Sequence, residues 1–87
     1  MPTPIDAARN IGPTSASELI AIGIRTREQL AEAGWEEVFV RLVRAYPHRL
    51  NLNMACALIG AVDDVDWRKV GKNDKARARA LLAELKR

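Results

Sequence analysis

Asn10-Ile11-Gly12-Pro13-Thr14-Ser15-Ala16, followed after a short apolar helix by Ile22-Gly23-Ile24-Arg25-Thr26, reads as a tight turn that feeds a helix N-terminus. Gly12 permits backbone torsions that residues with a Cβ avoid, and Pro13 is pre-set for a first helical position. Amides in the first turn of a helix have no partner within it, so with the helix dipole they can hold a phosphate. The donors would be the amides of Gly12, Thr14 and Ser15, because Pro13 has none to give. Arg9, Arg25 and Arg27 would supply charge beside them, and Lys75, Arg77 and Arg79 would extend the footprint if the last helix lies alongside. The same spacing also suits a purely structural helix start in which Ala16 packs closely against a neighbour.

Other chemistries find little support. The lone His48 sits between Pro47 and Arg49 in a turn, where it caps or decorates the surface, and there are no paired carboxylates in an apolar frame and no glycine-rich phosphate loop. No catalytic residue is assigned, and the chain is not expected to be an enzyme. Cys56 lies within an apolar run and is expected to fill core rather than to react. Asp63, Asp64 and Asp66 crowd a turn where aspartates cap helices, and no further oxygen-ligand pattern follows. Neither a metal site nor a cofactor is expected.

The elements that would position these residues belong to a small chain of 87 residues, enough for one domain over residues 1–87 with a modest core. Residues 1–8 are expected to be disordered or to form a marginal first helix. A single cysteine excludes an intrachain disulfide and suits a reducing cytoplasm. No secretory signal is read at the start, and the longest uncharged run, Leu50 to Val62, falls short of the ~20 residues that span a bilayer. A cytoplasmic protein with no membrane partner is therefore expected. The net charge of +3 is unevenly spread: residues 1–66 carry six basic and nine acidic groups, and residues 67–87 carry eight basic and two acidic. A nucleic-acid partner would thus be attracted by the C-terminal helix or by a local arginine cluster. A solvated helix face would have the same composition.

Helical periodicity runs throughout, with no alternating stretch long enough for a sheet, so the fold class is all-α: a small single-domain bundle of about five or six short helices. The first, Ile5 to Arg9, needs packing to persist. The second runs from Thr14 to Ile22 with Ala16, Leu19, Ile20 and Ile22 turned inward and Gly23 as its C-terminal cap. Thr26-Arg27-Glu28-Gln29 has the capping-box pattern and opens a third helix that places Leu30, Ala31 and Ala33 toward the core and ends at Gly34. Trp35 to Tyr46 is amphipathic, with Trp35, Phe39, Leu42, Val43 and Tyr46 on one face and Glu37, Arg41 and Arg44 on the other. Asn51 caps a helix from Leu52 to Val62 that is apolar nearly all round and should be central. The last helix, Asp74 to Lys86, follows the cap Asn73 and turns Ala78, Leu81, Leu82 and Leu85 inward, leaving Lys75, Arg77, Arg79 and Arg87 outside.

Asn10-Ile11-Gly12-Pro13 with Ala16, Leu19, Ile22-Gly23-Ile24, Thr26 and Leu30 resembles a helix-hairpin-helix element. With Gly34, the Phe39-to-Leu42 helix ending at Tyr46-Pro47, Leu50-Asn51-Leu52-Asn53 and Trp67, the wider pattern is similar to the C-terminal domain of TfoX/Sxy competence regulators over nearly the whole chain. The resemblance implies a helical domain of bacterial proteins that regulate natural competence and DNA transformation. Full-length members carry a separate N-terminal domain and are thought to act with the cyclic-AMP receptor protein at competence promoters. Partners so implied are DNA, a transcription regulator, or a separate TfoX N-terminal-like domain. Asn10 departs from the pattern, since many DNA-binding hairpins have glycine there; asparagine tolerates a left-handed backbone.

Two functions are open at this point. One is a non-enzymatic regulatory domain that contacts the DNA backbone without reading sequence, through the hairpin-like turn. The other is a protein-interaction or oligomerisation module in which the hairpin is structural. Burial of Trp35 and Trp67 is expected; an exposed tryptophan among apolar neighbours would favour a protein interface.

Overall fold

The computed structural model describes residues 1–87 and is all-helical. Its five α-helices are α1 (Pro13–Ala21), α2 (Arg27–Ala33), α3 (Trp35–Ala45), α4 (Leu52–Asp63) and α5 (Lys72–Leu85). Single 3-10 turns occupy Ile5–Ala7, Pro47–Arg49 and Trp67–Lys69. The apolar run of α4 makes it the hub: residues 54–61 are all buried, and α2, α3, α5 and the turn at Trp67–Lys69 pack around it. Around it Phe39, Leu42, Leu30, Leu19 and Ile5 are the largest fully buried side chains, with Trp35 buried and Trp67 half-buried against the core. Neither tryptophan is therefore an exposed apolar patch.

Local signals place the helix ends. The Thr26 hydroxyl accepts from the Gln29 amide at 3.0 Å while the Gln29 side chain accepts from Thr26 N, a complete capping box. The Asn51 side chain accepts from the Met54 amide at 2.8 Å and starts α4. At the end of α1 the Ile24 amide donates to the Leu19 carbonyl and the Gly23 amide to the Ile20 carbonyl, with Gly23 at φ +95°: a Schellman motif, with Ile24 and Leu19 both buried.

Several elements differ from the expectation. The first helix is only the 3-10 turn Ile5–Ala7, held by pairing: the Ile5 amide donates to the Arg25 carbonyl, the Arg27 amide to the Thr3 carbonyl, and Pro4 forms an antiparallel bridge with Thr26. Ile20 is 42% exposed rather than inward, because α1 is covered along the Ala16–Leu19 side alone. Ala31 and Ala33 are likewise exposed, leaving Leu30 as the buried anchor of the two-turn α2. The last helix begins at Lys72 with Gly71 at its N-cap, so Asn73 lies inside the helix and caps nothing.

Candidate nucleic-acid interface

Gly12 is the N-cap of α1 at φ −85°, ψ 177°, an extended conformation open to any residue, and a Cβ there would meet nothing within 4 Å. The expected glycine torsion is therefore not used at Gly12; the left-handed residue of the turn is Asn10, at φ +72°. Asparagine holds that conformation because its side chain is bonded across the fold. Its Nδ2 donates to the Val65 carbonyl at 2.9 Å, and its Oδ1 accepts from the Trp67 amide at 3.1 Å. Asn10 thereby ties the turn before α1 to the segment after α4.

The amides of Gly12, Thr14 and Ser15 donate to no group of the protein, the first bond of the helix being that of Ala16 to the Gly12 carbonyl. Gly12 and Thr14 are exposed and Ser15 is half-buried. A groove of about 410 Å³ runs beside this helix start, lined by Pro13, Ala16, Ser17, the exposed Ile20 and Asp6. Asp6 places one negative charge at its edge.

The six basic residues assigned to this interface separate into bound and free groups. Arg27 is not available to a phosphate: its Nε donates to the Ala61 carbonyl and its Nη2 to the Val62 carbonyl, both at 2.9 Å. It caps the C-terminus of α4, where carbonyls lack partners and the helix dipole favours a cation. Arg9 pairs with Asp64 at 3.2 Å. Arg77 pairs with Glu36 and, at 3.7 Å, with Asp74, and its guanidinium lies 5.8 Å from the centre of the Trp35 ring, so it fastens α5 to α3. Arg25 gives only its backbone amide, to Gln29 Oε1 at 2.7 Å. Lys75 and Arg79 make no ion pair.

Glu18 was not anticipated by sequence reasoning. It is 9% exposed, pairs with Arg49 and stands 3.3 Å from His48 Nε2, joining α1 to the 3-10 turn Pro47–Arg49. Its position beside Leu19 is the only local hint, and it does not name the partner. A second groove, of about 190 Å³, lies where Arg49, Asn51, Asn53 and Trp67 meet. Burial raises the Cys56 thiol above its ordinary range, against the pull of Lys75 and Arg79, which keeps the nucleophilic thiolate rare. Asp66 caps the turn Trp67–Lys69 by accepting from the Arg68 amide at 2.9 Å; side-chain and backbone hydrogen bonds from Arg68 hold its carboxyl down at about 2. No helix is long and apolar enough to cross a membrane.

The family model of the TfoX C-terminal domain matches residues 1–84. Among solved structures, an uncharacterized protein from Listeria monocytogenes is similar at a TM-score of 0.89 and 25% identity, over 97% of this chain and 94% of that one. No curated protein matches the sequence.

Proposed function

The chain belongs to the TfoX C-terminal domain family, and on that premise we propose that it is a non-enzymatic domain of competence regulation that touches the DNA backbone through the turn before α1. One observation carries the reading: the Gly12, Thr14 and Ser15 amides open a nine-residue helix and are taken by no bond of the fold. A phosphate oxygen fits such donors, and the helix dipole favours its charge. Of the three arginines assigned to the turn, Arg25 is the free cation, since Arg27 and Arg9 are engaged within the protein. Backbone contact of this kind positions a protein on a duplex without reading its sequence. The turn would then serve as the DNA-facing part of a helix-hairpin-helix-like element.

The exposure of Ile20 beside Pro13 and Ala16 favours a second reading, a protein-interaction surface on the same side of α1. Titration of a labelled duplex against the parent, Gly12→Ala and Arg25→Glu separates the two. A Cβ at position 12 meets nothing within the protein, so Gly12→Ala leaves the fold intact while standing in the way of a phosphate. The DNA reading requires both variants to bind more weakly than the parent with the fold retained by circular dichroism, Gly12→Ala melting somewhat lower because alanine is a poorer N-cap than glycine. Equal binding by all three removes the phosphate from this turn, and loss of self-association or partner binding in Ile20→Ser would support the second reading.

A further inference from the structure

Helix α5 carries its charges on two different faces. Arg77 faces α3 and is engaged by Glu36, Asp74 and the Trp35 ring. At 3.6 residues per turn, Lys72, Lys75, Arg79 and Lys86 fall within an arc of about 60°, and the two carboxylates of the helix, Asp74 and Glu84, project more than about 120° away from its middle. Lys86 keeps helical torsions just past the last turn, so it continues the line. None of the four cations takes part in an ion pair. Lys72, Arg79 and Lys86 are exposed, and Lys75 is half-buried.

We propose that this row, Lys72, Lys75, Arg79 and Lys86, is a second nucleic-acid contact, along which a phosphate backbone runs parallel to the axis of α5. The proposal takes its ligand class from the DNA reading above but rests on different residues. The row is about 21 Å long, a length over which one strand advances by about six phosphates along the duplex axis at 3.4 Å each. A linear row of unpaired cations matches a linear polyanion. A protein partner fits less well: the apolar residues beside the cations are Ala76, Ala83 and Leu82, which is half-buried against the core, lysine is depleted at protein interfaces, and no aromatic anchor is present on this face. An acidic membrane would also attract the charge, but the face offers no large exposed apolar side chain to insert between lipids.

The test compares three proteins by anisotropy on a labelled duplex of arbitrary sequence, across salt: the parent, Lys72→Gln/Arg79→Gln/Lys86→Gln, and Gly12→Ala/Arg25→Gln. The three substituted side chains of the row are exposed and unpaired and glutamine is a good helix former, so circular dichroism should be unchanged. Each contacted phosphate contributes about −0.9 to the log-log salt slope, so the row variant should lose about 2.7 of the parent's slope. A parent slope retained by the row variant overturns the proposal and leaves the contact at the α1 turn standing. The converse result, loss in the row variant with the turn variant unaltered, supports the row and removes the turn. A parent that does not bind duplex at low salt overturns both. Tighter binding to phosphatidylserine-containing vesicles than to duplex overturns the nucleic-acid assignment.

Discussion

The side-chain nitrogen of Asn10 stands in the space that a Cβ on Gly60 would occupy. Asn10 comes from the turn before α1 and Gly60 from the last turn of α4, and the Val65 carbonyl crosses the same point. The glycine is needed for this close approach and not for its torsions. Gly60→Ala should therefore destabilise the protein by about 1–3 kcal/mol through overpacking, although alanine is the better helix former by about 1 kcal/mol. Urea unfolding of the parent and variant measures it; a gain in stability would mean that the crossing is not this tight. Asn10→Gly keeps the left-handed backbone and loses only the side-chain bonds, at about 1–2 kcal/mol, so Asn10→Ala should cost more than Asn10→Gly.

Arg25 and Arg27 are two residues apart and opposite in role. Arg27 holds the last carbonyls of α4, so Arg27→Gln should cost about 1.5–3 kcal/mol as those oxygens lose a charged donor. Arg25→Gln, on an exposed side chain with no partner, should stay within about 0.5 kcal/mol of the parent. Thermal melts of the two single variants decide the matter. The same contrast explains why a charge reversal of both would confuse binding with unfolding, and why Arg25 alone belongs in a binding test.

What was legible in the sequence was local. The capping box at Thr26 and Gln29, the cap of α4 at Asn51 and the closing glycine Gly23 are each written within a few residues, and each forms as its spacing dictates. Roles that depend on distant partners were not legible. Arg27 reads as a surface charge until Ala61 and Val62 arrive beside it, 34 and 35 positions later. Asn10 reads as a departure from a glycine pattern until its bonds to Val65 and Trp67 are seen. Periodicity also misplaced Ile20, because it marks an apolar stripe without saying how much of that stripe a small fold covers.

The pairing of Glu18 with Arg49 is the most buried charge pair of the molecule, with side chains 11% and 20% exposed. Removing one partner leaves a largely desolvated charge, so Arg49→Met should cost about 3 kcal/mol, a little less than a fully buried pair would. Replacing both, as Glu18→Leu/Arg49→Met, should recover much of that loss, because no charge is then stranded. Coupling measured in a double-mutant cycle on denaturant unfolding tests this; additive losses would show that the two charges act separately.

Asp66 adds a pH dependence whose sign follows from its carboxyl being held at about 2 in the fold against an ordinary 3.8. A depressed carboxyl means that the unfolded chain binds the proton more readily, so acid favours unfolding. The contribution of Asp66 is present above about pH 4 and is lost as the pH falls through about 2. Glu28 acts in the same direction, its carboxyl lowered chiefly by the Thr3 amide that donates to it at 2.7 Å. Glu28 is exposed and Asp66 partly so, and salt screens the charge component of the effect. Carboxyl resonances followed by NMR should place the Asp66 midpoint well below that of Arg68→Gln, in which the side-chain bonds from Arg68 are gone and the carboxyl returns toward its ordinary value. Equal midpoints in parent and variant would show that the Arg68 side chain does not hold Asp66 in solution.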